Sequence, residues 1–309
     1  YLRISVLGIP GMLVSLAATG VLRGLQDTRT PLAVSVAGFS ANLLLNLGLV
    51  YGVGLGVAGS ATGTVLAQTG MAAAYLAVVV RGSRRTGAGL RPDLAGIRAC
   101  ATAGAPLLIR TLSLRAVLLI ATGVAAHLGD TAIAAHQVTA SLWSFLAFAL
   151  DAIAIAGQAI IGRYLGAEDA AGARAAAWRM VQWGLVTGVV LGLLLLAAEP
   201  LYLPLFTPDP AVRAQLHTVL LIVAVTQPVS GAVFVLDGVL MGAGDGRYLA
   251  AAMLATLAVF APVALAVPAG GGGLPALWWA MALFMATRLA FLGGRARTSA
   301  WLITGAVRA

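Results

Sequence analysis

Of the charged side chains inside long apolar stretches of this chain, four are candidates to do chemistry: Arg110, Arg115, Asp151 and Asp237. A charge at the centre of a bilayer costs about 2.5–3.5 kcal/mol on insertion scales, so a charge kept there points to function. A carboxylate in such a place can bind and release H⁺ or Na⁺. A neighbouring guanidinium favours its ionised form, and burial opposes it. These residue types therefore suit a switchable ion site, with the arginines as its electrostatic modulators. The alternative is a fixed salt bridge that locks helices together. Counting about 1.5 Å per helical residue from the arginine-rich side, Arg115 lies roughly 20 Å in, Asp151 about 17 Å, Arg110 about 14 Å and Asp237 about 5 Å. Arg115 and Asp151 stand on consecutive antiparallel segments, so the spacing predicts an Arg115–Asp151 pair. An Arg110–Asp237 contact is the second expectation, with Arg288 competing for Asp237.

The elements that position these groups must be membrane helices. Of 309 residues 61% are hydrophobic and 9% charged, with a mean hydropathy of +0.98. A soluble domain carries roughly 45–50% apolar and about 25% charged residues. That excludes a soluble fold, and 38 glycines without a three-residue period exclude a collagen-like one. Nine apolar stretches are long enough to span a bilayer: about 3–22, 31–52, 57–80, 101–127, 132–162, 173–198, 213–240, 248–268 and 274–292. They are continuous rather than alternating, which predicts helices and argues against a β-barrel.

All 19 basic residues are Arg, and the connections alternate in them. One set holds fourteen: Arg23, Arg29, Arg81, Arg84, Arg85, Arg91, Arg98, Arg163, Arg174, Arg179, Arg247, Arg295, Arg297 and Arg308. The other set has Arg213 alone. Excess positive charge marks the cytoplasmic side, which predicts a cytoplasmic C-terminus, an outer Tyr1 and contacts to anionic lipid. Aromatics are not interleaved with these arginines, which argues against nucleic acid as partner. The chain opens at Tyr1-Leu-Arg, already inside an apolar helix, with neither an initiator Met nor a signal-peptide pattern. That predicts a piece of a longer protein.

A repeat supports the same expectation. GVLRGLQDTR at 20–29 and GVLMGAGDGR at 238–247 match at six of ten positions with an offset of 218, and Pro10 and Pro228 share that offset. A glycine-rich turn follows each copy. Spans one to three therefore repeat spans seven to nine in the same orientation, as in parallel-repeat transporters. Three further spans precede the second copy and none precedes the first. The expected parent has roughly 120 more N-terminal residues.

The segments LRGLQDTRTP (22–31), NLLLNLGLVYGVGLGVAG (42–59), LGDTAIAAHQV (128–138), GQAIIGRYLGAEDAAGARAAA (157–177) and LDGVLMGAGDGR (236–247) resemble the multidrug and toxic compound extrusion (MATE) family, in its DNA-damage-inducible branch. The likeness implies an all-α membrane fold of twelve helices in two six-helix lobes. Residues 1–96 would then be the last three helices and linker of an N-lobe, and 97–309 a complete C-lobe. It implies an antiporter in the cell membrane that exports small, often cationic organic compounds in exchange for H⁺ or Na⁺. It implies no enzyme activity and no cofactor. The family often pairs an Asn with an Asp four residues on in its fifth helix; here the positions are Asn42 and Asn46, so that carboxylate is missing.

Asn42, Asn46, Gln68, Gln158 and Trp143 are candidates to line a substrate cavity, with bonding between helices as the alternative for the amides. Pro10 and Pro228 are hinge candidates, because each removes a backbone donor and should bend its helix. His127, His136 and His217 read as helix-end residues. Trp178 and Trp183 read as interfacial anchors, and Trp278 and Trp279 as an interfacial belt. Gly54, Gly56 and Gly59 fit a dinucleotide fingerprint but follow a membrane helix, with no acid until Asp93. Three histidines and Cys100 lack metal-ligand spacing. Two other functions stay open. Arg110 and Arg115 suit a flippase for lipid or lipid-linked precursors, and a nine-helix chain could be a membrane protein that does not transport.

Overall fold

The structure is a computed structural model that describes residues 2–25, 27–87 and 93–304. Tyr1, Arg91 and Arg308, which enter the orientation argument, lie outside them. Among the described residues every regular element is helical, and nine helices are long and apolar enough to cross a membrane. The chain divides into two compact units, Tyr1–Leu94 and Ala95–Ala309.

The first unit holds α1 (Arg3–Gly24), α2 (Arg29–Gly52) and α3 (Gly56–Thr86), with α3 packed against both others. Close approach is arranged by small residues. Gly8 and Gly11 of α1 face Gln68, Gly38 of α2 faces Met71, and Gly63 of α3 faces Asn46. The Tyr75 hydroxyl donates to the Pro31 carbonyl at 3.1 Å and ties α3 to α2. Pro10 has the expected effect. It supplies no N–H to the preceding turn, and Val6–Gly8 tightens there into a 3₁₀ turn.

The second unit holds α4 (Leu94–His127), α5 (Asp130–Gly166), α6 (Ala170–Ala197), the short α7 (Glu199–Phe206), α8 (Pro210–Gly242), α9 (Gly246–Ala266) and α10 (Gly273–Arg297). Local signals start these helices. Asp169 accepts from the Gly172 N–H, and Asp209 accepts from the Ala211 N–H with Pro210 in the first turn. The hub is α8, which packs against α5, α6 and α10. It is the most buried span, 67% of its apolar window against at most 44% elsewhere.

Glycine makes that centrality sterically feasible. Gly184, Gly188 and Gly192 recur every fourth residue on α6 and meet the α8 backbone at Gly231, Gln227–Pro228 and Ala224. Gly238 and Gly242 of α8 meet α5 at Ala154 and Gln158. Dispersion between close backbones drives such packing where lipid offers no hydrophobic effect. This lock also explains why Pro228 differs from Pro10. The α-helix of α8 runs unbroken through Pro228, which lies against Gly188 of α6.

The repeat is visible in local geometry. In the first copy Leu25 N–H bonds Val21 O at 3.0 Å and Asp27 N–H bonds Leu22 O at 2.9 Å. At the same offset of 218, Ala243 bonds Val239 at 3.0 Å and Asp245 bonds Leu240 at 2.9 Å. The two aspartates then diverge. Asp27 Oδ1 accepts the amides of Arg29 and Thr30 and opens α2, whereas Asp245 pairs with Arg295 Nε at 2.7 Å.

Candidate functional site

Asp237 is the most heavily partnered charge in the second unit. It sits on the hub helix α8, 6% exposed, five residues before Gly242. Two guanidinium groups from different helices hold its carboxylate. Arg110 of α4 donates from Nε to Oδ1 at 3.3 Å and from Nη2 to Oδ2. Arg288 of α10 donates from Nη2 to Oδ2 at 3.1 Å. The fork of Arg110 thus grips both oxygens, and Arg288 adds a second cation to one of them.

The two arginines are fixed very differently. The Arg288 side chain is 5% exposed, packs over the Phe284 ring at 5.6 Å and places Nη1 3.8 Å from Met285 Sδ. The Arg110 side chain is 17% exposed. All buried residues of α4 fall at Ser113, Val117, Ala121, Val124 and Ala125, so the half that carries Arg110 is not anchored in the core. Pro106 interrupts the α4 hydrogen-bond ladder four residues before Arg110, beside Gly246. Arg110 is thus the more exposed of the two partners and Arg288 the more enclosed.

The expected Arg115–Asp151 pair does not form. Both side chains are exposed, and neither makes an ion pair among the described residues. Arg110 and Arg115 are five residues apart, about 140° around a helix, so they cannot face one carboxylate together. Arg110 falls on the buried stripe of residues 113, 117, 121 and 124; Arg115 falls off it.

The other candidates separate. Asn46 Nδ2 donates to Asn42 Oδ1 at 2.7 Å, one turn apart on α2, and Asn46 packs on Gly63. Gln68 fills the space beside Gly8 and Gly11, next to the Pro10 distortion. Both amide contacts lie between helices. Gln158 is exposed on α5, and Trp143 is half-buried and packs on the core. His127 bonds the Gly123 carbonyl, and His217 pairs with Glu199 at 2.8 Å. Two expectations are corrected. His136 is not a helix-end surface residue and Trp278 is not an interfacial one; they are 4% and 3% exposed, with ring centroids 5.7 Å apart. Trp178, Trp183 and Trp279 are exposed as expected. Pro106 is a site feature that the sequence reading misses, although a proline inside an apolar run is a plain signal. Among the described residues no group of three or more His, Cys, Asp or Glu is placed to hold a metal.

Comparison with known proteins gives this arrangement its context. The family model MatE matches residues 1–47 and 106–266. The chain belongs to the MatE family. It is 35% identical over 290 residues to Protein DETOXIFICATION 42 of Arabidopsis thaliana, covering 94% of this chain and 56% of that protein. It is 32% identical over 297 residues to DNA damage-inducible protein F of Escherichia coli strain K12, covering 93% of this chain and 63% of that protein. The chain thus spans about half to three-fifths of the length of the curated relatives it matches. Among solved structures, a MATE in the bent conformation superposes with a TM-score of 0.86 at 19% identity, over 97% of this chain and 68% of that one. A Pyrococcus furiosus transporter of the MOP superfamily, described as having a binding pocket of reverse polarity, superposes with a TM-score of 0.82 at 19% identity, over 94% and 68%. MatE members are membrane transporters and not enzymes, as the motifs implied.

Proposed function

We propose that this MatE chain belongs to a secondary active exporter that expels small organic compounds in exchange for H⁺ or Na⁺, with Asp237 as the coupling carboxylate. The observation that carries the reading is the buried Asp237 on the hub helix, shared between an enclosed Arg288 and a more exposed Arg110. A proton or Na⁺ on Asp237 competes with Arg110 for the same oxygens. Neutralising the carboxylate releases Arg110. Release frees the unanchored half of α4, so ion occupancy becomes helix position. A coupling site needs its affinity to differ between two conformations, and the movable guanidinium supplies that difference. Residues 1–96 act as three helices of one lobe and 97–309 as the second lobe. The fourteen-arginine side faces the cytoplasm, with the C-terminus there.

The test is ion-driven efflux by the full-length protein carrying Asp237→Asn or Asp151→Asn. Loss of coupling in Asp237→Asn is expected. Wild-type coupling in Asp237→Asn sinks the assignment, and Asp151→Asn tests whether the second acid shares the role. A second reading has its own support. Arg110, Arg115 and Arg288 outnumber Asp151 and Asp237, which favours an anionic substrate such as a lipid or lipid-linked phosphate. Competition separates the two: an organic cation displaces labelled substrate under the first reading, and a phosphate-bearing amphiphile does so under the second.

A further inference from the structure

Two buried, complementary polar atoms without a protein partner stand on neighbouring rings, ten residues along α10 from Arg288. His136 of α5 and Trp278 of α10 are both more than nine-tenths buried, with ring centroids 5.7 Å apart and planes inclined by 47°. Thr122 of α4 closes the group, its Oγ1 3.4 Å from His136 Nε2. The tautomer follows from proton counting. The Thr122 hydroxyl gives its single proton to the Leu118 carbonyl at 2.9 Å, so it can only accept from the ring. Nε2 therefore carries the imidazole proton, and Nδ1 presents a lone pair.

That Nδ1 has no protein partner, and neither has the indole Nε1–H of Trp278. One is an acceptor and the other a donor. Leaving either unsatisfied in the interior forfeits the hydrogen bonds it makes to water when unfolded. The pair selects its ligand by chemistry. A cation would face the indole N–H, and an anion would face the imidazole lone pair. A ligand that donates and accepts through one small atom satisfies both, and that ligand is water.

We propose that His136 and Trp278, oriented by Thr122, form a buried site for a single water that fastens α4 and α5 to α10. The fastening lies in the half of α4 that holds all its buried residues, so it provides the fixed end against which the Arg110 half can move. The inference stands on its own geometry and holds whatever the protein transports.

The experiment is solid-state NMR of the 309-residue chain, selectively ¹⁵N-labelled at histidine, in lipid bilayers. Three histidines are present, and His127→Gln and His217→Gln assign the spectrum. The expected result is a neutral His136 protonated on Nε2, with a correlation from Nδ1 to a bound water. Trp278→Phe keeps a ring and deletes the donor, and should abolish that correlation. An Nδ1-protonated ring, no water correlation in the unaltered chain, or a correlation undiminished by Trp278→Phe overturns the site. Should Trp278→Phe not fold, ¹⁵N labelling of tryptophan in the unaltered chain is the second measurement: a correlation from the Trp278 indole N–H to the same water is expected, and its absence overturns the proposal.

Discussion

Replacing Asp237 by Asn leaves two guanidinium groups facing a neutral amide, and the cost can be worked from the site. Removing one partner of a buried ion pair destabilises by about 3–5 kcal/mol. Arg288, 5% exposed and held by Phe284 and Met285, has nowhere to go and takes the full penalty. Arg110 is 17% exposed, so water recovers part of its own. The Asn oxygen still accepts one hydrogen bond, worth about 1 kcal/mol. The balance is a loss of about 3 kcal/mol, roughly a hundredfold in the unfolding equilibrium. Arg110→Gln leaves Asp237 with Arg288 and should cost clearly less. The double variant Asp237→Asn/Arg288→Met removes the stranded charge and should be more stable than Asp237→Asn alone. Reversible unfolding in bicelles measures all three. The reasoning is refuted if Asp237→Asn lies within about 0.5 kcal/mol of the unaltered protein, the scatter of an ordinary surface change. It is equally refuted if Arg110→Gln is the more damaging variant.

The glycine lock predicts a contrast. A methyl at Gly184 would stand 2.7 Å from the Gly231 carbonyl oxygen and 2.7 Å from Val235 Cγ2, so Gly184→Ala should destabilise by about 1–3 kcal/mol. Gly20 has nothing within 4 Å, so Gly20→Ala should leave stability unchanged or raise it; equal effects of the two in a thermal unfolding assay would dismiss the packing argument. Burial, and then the Glu199 charge, push the Tyr202 phenol up to about 12. Its contribution to stability is complete below the ordinary tyrosine value near 10 and is lost as pH rises from there through about 12. Alkaline absorbance titration should lose its highest component in Tyr202→Phe; a Tyr202 that ionises with exposed tyrosines contradicts the assignment. The Thr30 hydroxyl, then the Thr30 amide, hold the Asp27 carboxyl below the usual carboxylate range. Its contribution is therefore present at neutral pH and lost as pH falls through that lowered value. Thr30→Ala should move the Asp27 titration upward by carboxyl ¹³C NMR, and an unmoved titration would remove the capping account.

Much of this fold is legible in the chain because bilayer thickness sets a minimum apolar run. All nine spans can be read from it, with ends misjudged where the helix continues past the lipid: α4 starts at Leu94 and not near residue 101. The repeated turn is legible because Asp27 and Asp245 keep the same offset as their backbone bonds. The Arg115–Asp151 expectation fails for a definite reason. Counting residues gives depth along a helix but not rotation about it, and in a helix apolar on every side no amphipathic stripe marks the inward face. Arg110 ranks second in the sequence for the same reason. His136 and Trp278 escape the sequence reading because closeness to a helix end is not closeness to water: the two rings pack on one another, with Thr122 of α4 beside His136. The Gly184, Gly188 and Gly192 ladder is written plainly at four-residue spacing and marks a backbone-to-backbone contact at the centre of the second unit.

The central claim is that one carboxylate exchanges an arginine for a transported ion. Ion entry and substrate exit, counted together in liposomes bearing the full-length protein, test it most directly. The account predicts that an imposed inward H⁺ or Na⁺ gradient drives substrate out of liposomes with unaltered protein, and that Asp237→Asn, verified as folded, neither admits the ion nor accumulates a gradient of substrate. An Asp237→Asn protein that moves ion and substrate in the unaltered ratio would contradict it.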